Sequence, residues 1–329
     1  MATALLLRSN LEPSGGQSVL RQWFDHIDAH PHWRAQLFVT PEAPWPPLSP
    51  WADLRDREAR LEHLPPPPDL VLLEGLTDWP LLPPAWRRAP TPPRLHLIQH
   101  LRHADPADDR FVFLGLPAIR VAVSEPVRAA LAASGRCRGP VLTIPPGQPL
   151  PDPGGPWDPQ APVLVLGLKA PELARALGEQ LDAAAVPHRL LLGPLPRPMF
   201  LEAIAAAGLV VALPMAEGEG FFLPALETLA LGRPLIVPDA GGNRAFCRNG
   251  INCLQPAPEA AALAGAVLTL TADRMRAAAL AAAGPASAEP FSLAAERRAV
   301  HRLLDQLPQL WAEVPTVGSG TCSSSRNNA

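Results

Sequence analysis

Two carboxylates eight positions apart, Glu219 and Glu227, stand in the run Glu217-Gly218-Glu219-Gly220-Phe221-Phe222-Leu223-Pro224-Ala225-Leu226-Glu227. A carboxylate accepts hydrogen bonds from two neighbouring hydroxyls, while the N–H groups at a helix N-terminus favour anions such as phosphate. A ligand that wants both is a sugar joined to phosphate. Lys169 is the only lysine in the chain, beside 27 arginines, and a compact ammonium there can neutralise charge leaving on a diphosphate. Glu217, in the same run, reads as a bystander.

The elements that must hold these residues follow from the pattern around them. Leu209-Val210-Val211-Ala212-Leu213-Pro214-Met215 is short, apolar and bounded by Gly and Pro, which predicts a buried parallel strand. Pro224 suits the first helical position, where a missing N–H costs nothing, and Gly232 before Arg233-Pro234 stops the helix. The unit is therefore a strand, a loop carrying Glu219, and a helix carrying Glu227.

The rest of the chain alternates in the same way. Predicted strands are Ala4–Arg8, Ala35–Val39, Leu70–Leu73, Arg94–Ile98, Ile119–Val123, Val163–Leu166, Arg189–Leu192 and Leu235–Val237. Predicted helices are Ser18–Ala29, Pro126–Ala133, Pro171–Ala184, Pro198–Ala207, Pro258–Leu268 and one long helix from Ser292 to about Trp311. Alternation of this kind implies an α/β fold with two parallel sheets flanked by helices, and ligands at the carboxyl ends of the strands. The Pro/Gly-rich stretch from Pro145 to Pro156 is the strongest linker signal. The expected domains are 1–148, a linker at 149–162, a second domain at 163–290, a C-terminal helix at 291–312 that crosses back to the first domain, and a disordered tail at 313–329.

Composition narrows the function. A formal charge of −3 gives no basic footprint for nucleic acid. Four cysteines without a CxxC, an N-terminus that meets Arg8 after a short apolar run, and no apolar run long enough for a membrane span predict a cytoplasmic protein. Peripheral association at the inner membrane face stays open. His96, His100 and His103 have spacings that would suit a metal site on a helix, but Leu95, Leu97 and Ile98 favour a strand, where those spacings do not converge. No metal and no cofactor are expected.

The central segment resembles the E-x7-E signature of family 4 glycosyltransferases. The similar residues are Glu219-Gly220-Phe221, Leu223-Pro224-Ala225-Leu226-Glu227, Ala230–Val237, Asp239-Ala240-Gly241-Gly242-Asn243 and the Asn249–Asn252 turn. Upstream, Val121–Val127, Thr143–Gly147 and Ser14-Gly15-Gly16 resemble further family segments, in the family's order. The resemblance implies a GT-B fold, two Rossmann-like α/β domains with parallel sheets facing each other across a cleft. It also implies a retaining, metal-independent transfer of a sugar from a nucleotide-diphosphate donor, a UDP- or GDP-sugar, to a hydroxyl acceptor.

By the same resemblance, Glu219 meets the donor sugar beside the N–H groups of Gly220, Phe221, Phe222 and Leu223, and Glu227 takes the ribose. Gly15 and Gly16 let the backbone approach the donor or acceptor, and His100 faces the reacting sugar, with His103 a weaker candidate. Lys169 meets the diphosphate. The family's second cation is missing from Gly167-Leu168-Lys169, and Arg244 is its candidate substitute. Other departures are Phe222 in place of a glycine, which would narrow the loop beside the sugar, Ala245 in place of a glutamate, and Pro146 in place of an asparagine. Two other readings fit the same residues: a nucleotide-sugar epimerase on this fold, and a non-catalytic sugar-nucleotide-binding partner of another transferase.

Overall fold

Aliphatic runs without polar alternation, such as Leu70–Leu73 and Val163–Leu166, form strands buried on both faces, as a parallel sheet between helix layers requires. These assignments come from a computed structural model, which describes residues 1–56, 60–61, 63–88, 90–149, 156–215 and 218–315. Contacts divide the chain into two units. Unit 1 holds Met1–Val123, Val127–Ile144 and the chain from Arg297 on; unit 2 holds Ser124–Pro126 and Pro145–Glu296.

Unit 1 carries strands Ala2–Arg8 (β1), Trp33–Val39 (β2), Arg60–Leu61 (β3), Leu70–Leu73 (β4), Arg94–Ile98 (β5), Ile119–Ala122 (β6) and Val141–Thr143 (β7). All pairings are parallel, in the order β3-β2-β1-β4-β5-β6-β7. Its helices are Gly15–Asp28 (α1), Asp78–Leu81 (α2), Pro84–Arg88 (α3) and Glu125–Ala133 (α4), the last with its first two residues in unit 2. The connection reverses direction between β1 and β4, the point where doubly wound sheets open a crevice for ligands. Trp23, Trp51, Trp79 and Trp86 are buried in this unit and belong to its core.

Unit 2 carries Val163–Leu166 (β8), His188–Leu191 (β9), Leu209–Ala212 (β10) and Leu235–Ile236 (β11), all parallel in the order β11-β10-β8-β9. Around them lie Pro171–Ala183 (α5), Arg197–Ala205 (α6), Leu223–Ala230 (α7), Ala260–Ala272 (α8) and Arg274–Ala288 (α9). Here the reversal lies between β8 and β10, the strands that precede Lys169 and Glu219. Two further helices, Leu293–Asp305 (α10) and Leu307–Ala312 (α11), end the described chain.

Several elements differ from expectation: β3, β7, α2 and α3 have no counterpart in the sequence reading, and several helices shift their ends. The first helix begins at Gly15 rather than Ser18, because the Ser14 hydroxyl caps it, accepting from the Gln17 N–H at 3.2 Å. Gly15 and Gly16 are therefore its first turn and not a free loop. The expected single C-terminal helix breaks at Gln306, where Pro308 supplies no N–H to continue the ladder. Helix α9 has no counterpart in the sequence reading, since its Ala-rich stretch offers almost no apolar periodicity. The chain enters unit 2 at Pro145, ahead of the expected linker, and Gln148 is bridged to Ser292 within that unit. Of that linker, 150–155 lie outside the described residues, as do 316–329 of the expected tail.

Candidate functional site

The loop after β10 turns back on itself because Glu219 bonds to a neighbouring strand end. Its N–H donates to the Ala240 carbonyl at 2.9 Å, and Gly241 takes a left-handed φ of 74° beside it. Gly242 packs so close that an added Cβ would sit 2.6 Å from the Glu219 carbonyl oxygen. The Gly241-Gly242 turn thus lets two backbones meet and fixes where the Glu219 side chain starts.

Glu219 is 3% exposed, and a carboxylate that deep needs a partner. It has Lys169, whose ammonium lies 2.8 and 2.7 Å from its two oxygens, and the Met215 N–H donates to Oε1 at 3.2 Å. Lys169 follows β8 and Glu219 follows β10, so adjacent parallel strands deliver both groups to one sheet end. The two residues expected at different parts of a donor hold each other here. Glu217 lies outside the described residues.

Phe222 corrects the expectation that its ring narrows the loop. It is 1% exposed and packs in the core with Leu164, Leu166, Ile204 and Leu226, leaving only a face 5.5 Å from the Lys169 ammonium. Its backbone stays extended enough to precede α7, which starts at Leu223 with Pro224 in its first turn.

Glu227, inside α7, is 1% exposed. One of its oxygens pairs with the guanidinium of Arg197, while Oε2 is buried and has no hydrogen-bond partner among the described residues. Arg197 is the first residue of α6, and its Nη2 donates to Gln148 Oε1 at 3.0 Å. Burial pushes the Glu227 carboxyl above its ordinary range, and the Arg197 charge opposes that rise. A raised folded-state value means that stability from this group is full below the ordinary 4.5 and is lost as pH rises through the folded value. Glu227→Gln removes that loss. The melting difference, variant minus wild type, should therefore be larger at about pH 8 than at about pH 5. A difference that does not change with pH would mean that Arg197 cancels the burial entirely.

Arg244, the candidate second cation, is instead tied to Asp239 by Nε at 2.9 Å and Nη2 at 2.7 Å, with both side chains exposed. Among the described residues, no contact joins it to Lys169, Glu219 or Glu227. The cation the sequence reading lacks at this site is Arg197. Its signal was its place just before Pro198, at the start of a helix that follows a strand, but a βα loop shows nothing of a partner thirty positions away.

In unit 1 the expected residues gather at the carboxyl ends of β1, β4 and β5. The Gly16 carbonyl accepts from the Gln99 amide at 3.2 Å, and that amide also donates to Glu74 at 3.0 Å. Glu74 shares Arg8 with the fully buried Asp78, and burial raises both carboxyls. Glu74 and Gln99 directly follow β4 and β5, the one sequence signal that marks them. His100, two residues beyond β5, caps the turn Leu101–Ala104, its Nδ1 accepting from the Arg102 N–H at 3.1 Å. His103 is buried beside His96, and desolvation above all pulls it down to about 3, so it is a neutral core residue and a poor proton carrier near neutral pH. Among the described residues no group of three His, Cys, Asp or Glu side chains could hold a metal ion, and no helix is long and apolar enough to cross a membrane.

Residues 158–273, which include Lys169, Arg197, Glu219, Glu227 and Arg244, match the family model for Glycosyl transferases group 1. None of the curated proteins matches this sequence. Among solved structures, the chain is similar to Alr3699/HepE of Anabaena in complex with UDP-glucose, at 14% identity over 93% of this chain and 100% of that one, with a TM-score of 0.65. It is similar at the same TM-score to sucrose-phosphate synthase (tll1590) from Thermosynechococcus elongatus, at 15% identity over 94% and 100%. A third is the lipopolysaccharide outer core galactosyltransferase WaaB, at 11% identity over 94% and 99%, with a TM-score of 0.63. The glycosyltransferase resemblance and the GT-B class of fold expected from the sequence are borne out; family 4 in particular is not singled out.

Proposed function

We propose that this chain is a glycosyltransferase that binds a UDP- or GDP-sugar in unit 2 and transfers the sugar, with retention of configuration and without a metal ion, to a hydroxyl acceptor. The observation that carries the reading is the pair of buried carboxylates at α7, each matched by one cation, with Oε2 of Glu227 lacking a donor among the described residues. Vicinal hydroxyls of ribose supply the donors Glu227 lacks, and sugar hydroxyls are the natural partners of Glu219. Between them lies the N-terminus of α7, where backbone N–H groups and the helix dipole favour a diphosphate. Lys169, displaced from Glu219 by the sugar, meets the charge that builds on the leaving group. The leaving diphosphate takes the acceptor proton on the face it departs from, which requires no protein nucleophile.

The test is turnover of a UDP- and GDP-sugar panel in excess EDTA, with the anomeric configuration of any product read by NMR. Nucleoside diphosphate release with a retained anomeric centre is expected. Loss of activity in EDTA would contradict metal independence, and an inverted product would contradict retention. An epimerised donor, formed without acceptor, would replace transfer with epimerisation.

A further inference from the structure

A diphosphate carries more than one negative charge, and Lys169 is the single lysine of the chain. A second cation has to come from an arginine. Resting on the donor reading above, we propose that Arg197 is that cation: ribose hydroxyls fill Oε2 of Glu227, and Arg197 turns its remaining donors to the diphosphate while keeping Oε1.

Four observations carry this. The guanidinium has five donors in a planar fork, and its contacts here use Nη1 for Glu227 and Nη2 for Gln148. Its side chain is 44% exposed whereas that of Glu227 is 1% exposed, so the cation reaches the surface and the acid does not. Gln148 holds the fork in place: its Oε1 accepts from Arg197 and its own Nε2 is committed to the Gly147 carbonyl at 2.8 Å, which fixes the amide orientation. The half-satisfied, buried Glu227 points independently to a ligand with hydroxyl donors at this spot. Lys169 near the Phe222 ring, just before α7, and Arg197 at Glu227, five residues into it, then supply two cations along that helix. Keeping Oε1 paired also avoids leaving a bare buried charge. Arg244 lacks these features, since both partners of its ion pair with Asp239 are exposed.

The experiment is calorimetry on the full chain with uridine, guanosine, UDP and GDP, comparing wild type with Arg197→Gln, Arg197→Lys and Arg244→Ala. Arg197→Gln should weaken the nucleoside diphosphate by on the order of tenfold or more, the scale of a charge-assisted contact, and weaken the nucleoside far less. Arg197→Lys should recover most of the loss. Equal losses for nucleoside and diphosphate would overturn the proposal, because Arg197 would then only prop up Glu227. A larger diphosphate loss in Arg244→Ala than in Arg197→Gln would overturn it too. If the single variant fails to fold, Glu227→Gln and Glu227→Gln/Arg197→Gln leave no buried charge behind; diphosphate affinity should fall between those two, and an unchanged value would overturn the proposal. Wild type that binds neither diphosphate defeats the donor reading itself, whereas wild-type binding with equal losses defeats only the role of Arg197.

Discussion

Glu219→Gln should lower turnover of the donor by on the order of a hundredfold while changing donor affinity far less. Glu219 starts from a backbone position clamped by Ala240 and the Gly241-Gly242 turn, so the substitution leaves its side-chain origin in place. What changes is charge and one acceptor. A glutamine in that place turns an amide N–H toward the Lys169 ammonium, donor against donor, where the carboxylate now accepts at 2.7 and 2.8 Å. Lys169 is then free for the diphosphate, which offsets the lost sugar contact in the ground state. In the proposed reaction the sugar ring carries developing positive charge in the transition state, and the carboxylate of Glu219, unlike a glutamine, would answer it. An interaction stronger in the transition state than in the ground state appears in kcat rather than in binding. Equal kcat, or a loss confined to KM, would remove Glu219 from the chemistry.

Phe222→Ala should destabilise the fold by about 3–5 kcal/mol, the cost of deleting a buried aromatic from a core that cannot collapse around the gap. Phe222 is 1% exposed and lies between the Glu219 loop and the first residue of α7, so its ring anchors both to the sheet. Phe221→Ala should cost less, since that ring is only partly buried against Phe246 and Phe291. Denaturant unfolding separates the two. A loss under about 1 kcal/mol for Phe222→Ala would mean that the ring is not part of the core.

The strands were the most legible feature. Leu70–Leu73, Arg94–Ile98 and Val163–Leu166 were bounded in the sequence as they are in the fold, because an aliphatic run flanked by Pro, Gly or polar residues has few other solutions. Glu219 and Glu227 were also legible, since Pro224 and Gly232 fix the helix limits and hence which acid is in the loop and which in the helix. Pairings were not. Lys169 with Glu219, and Arg197 with Glu227 and Gln148, join residues 30 to 50 positions apart, and local spacing carries no record of strand order. Phe222 misled for a related reason: of two adjacent phenylalanines, only tertiary packing decides which one enters the core. Helix α9 was missed because alanine forms helices without marking a face.

The most direct test of a donor site in unit 2 is a thermal-shift titration of wild type and Glu227→Gln with UDP- and GDP-sugars. A ligand that binds the folded chain raises its stability by mass action, about 2.7 kcal/mol at a hundredfold excess over Kd. At least one nucleotide sugar should raise the melting temperature of wild type in a saturable way, and the shift should shrink sharply in Glu227→Gln. A panel with no shift in wild type, or a shift of the same size in Glu227→Gln, would contradict the assignment.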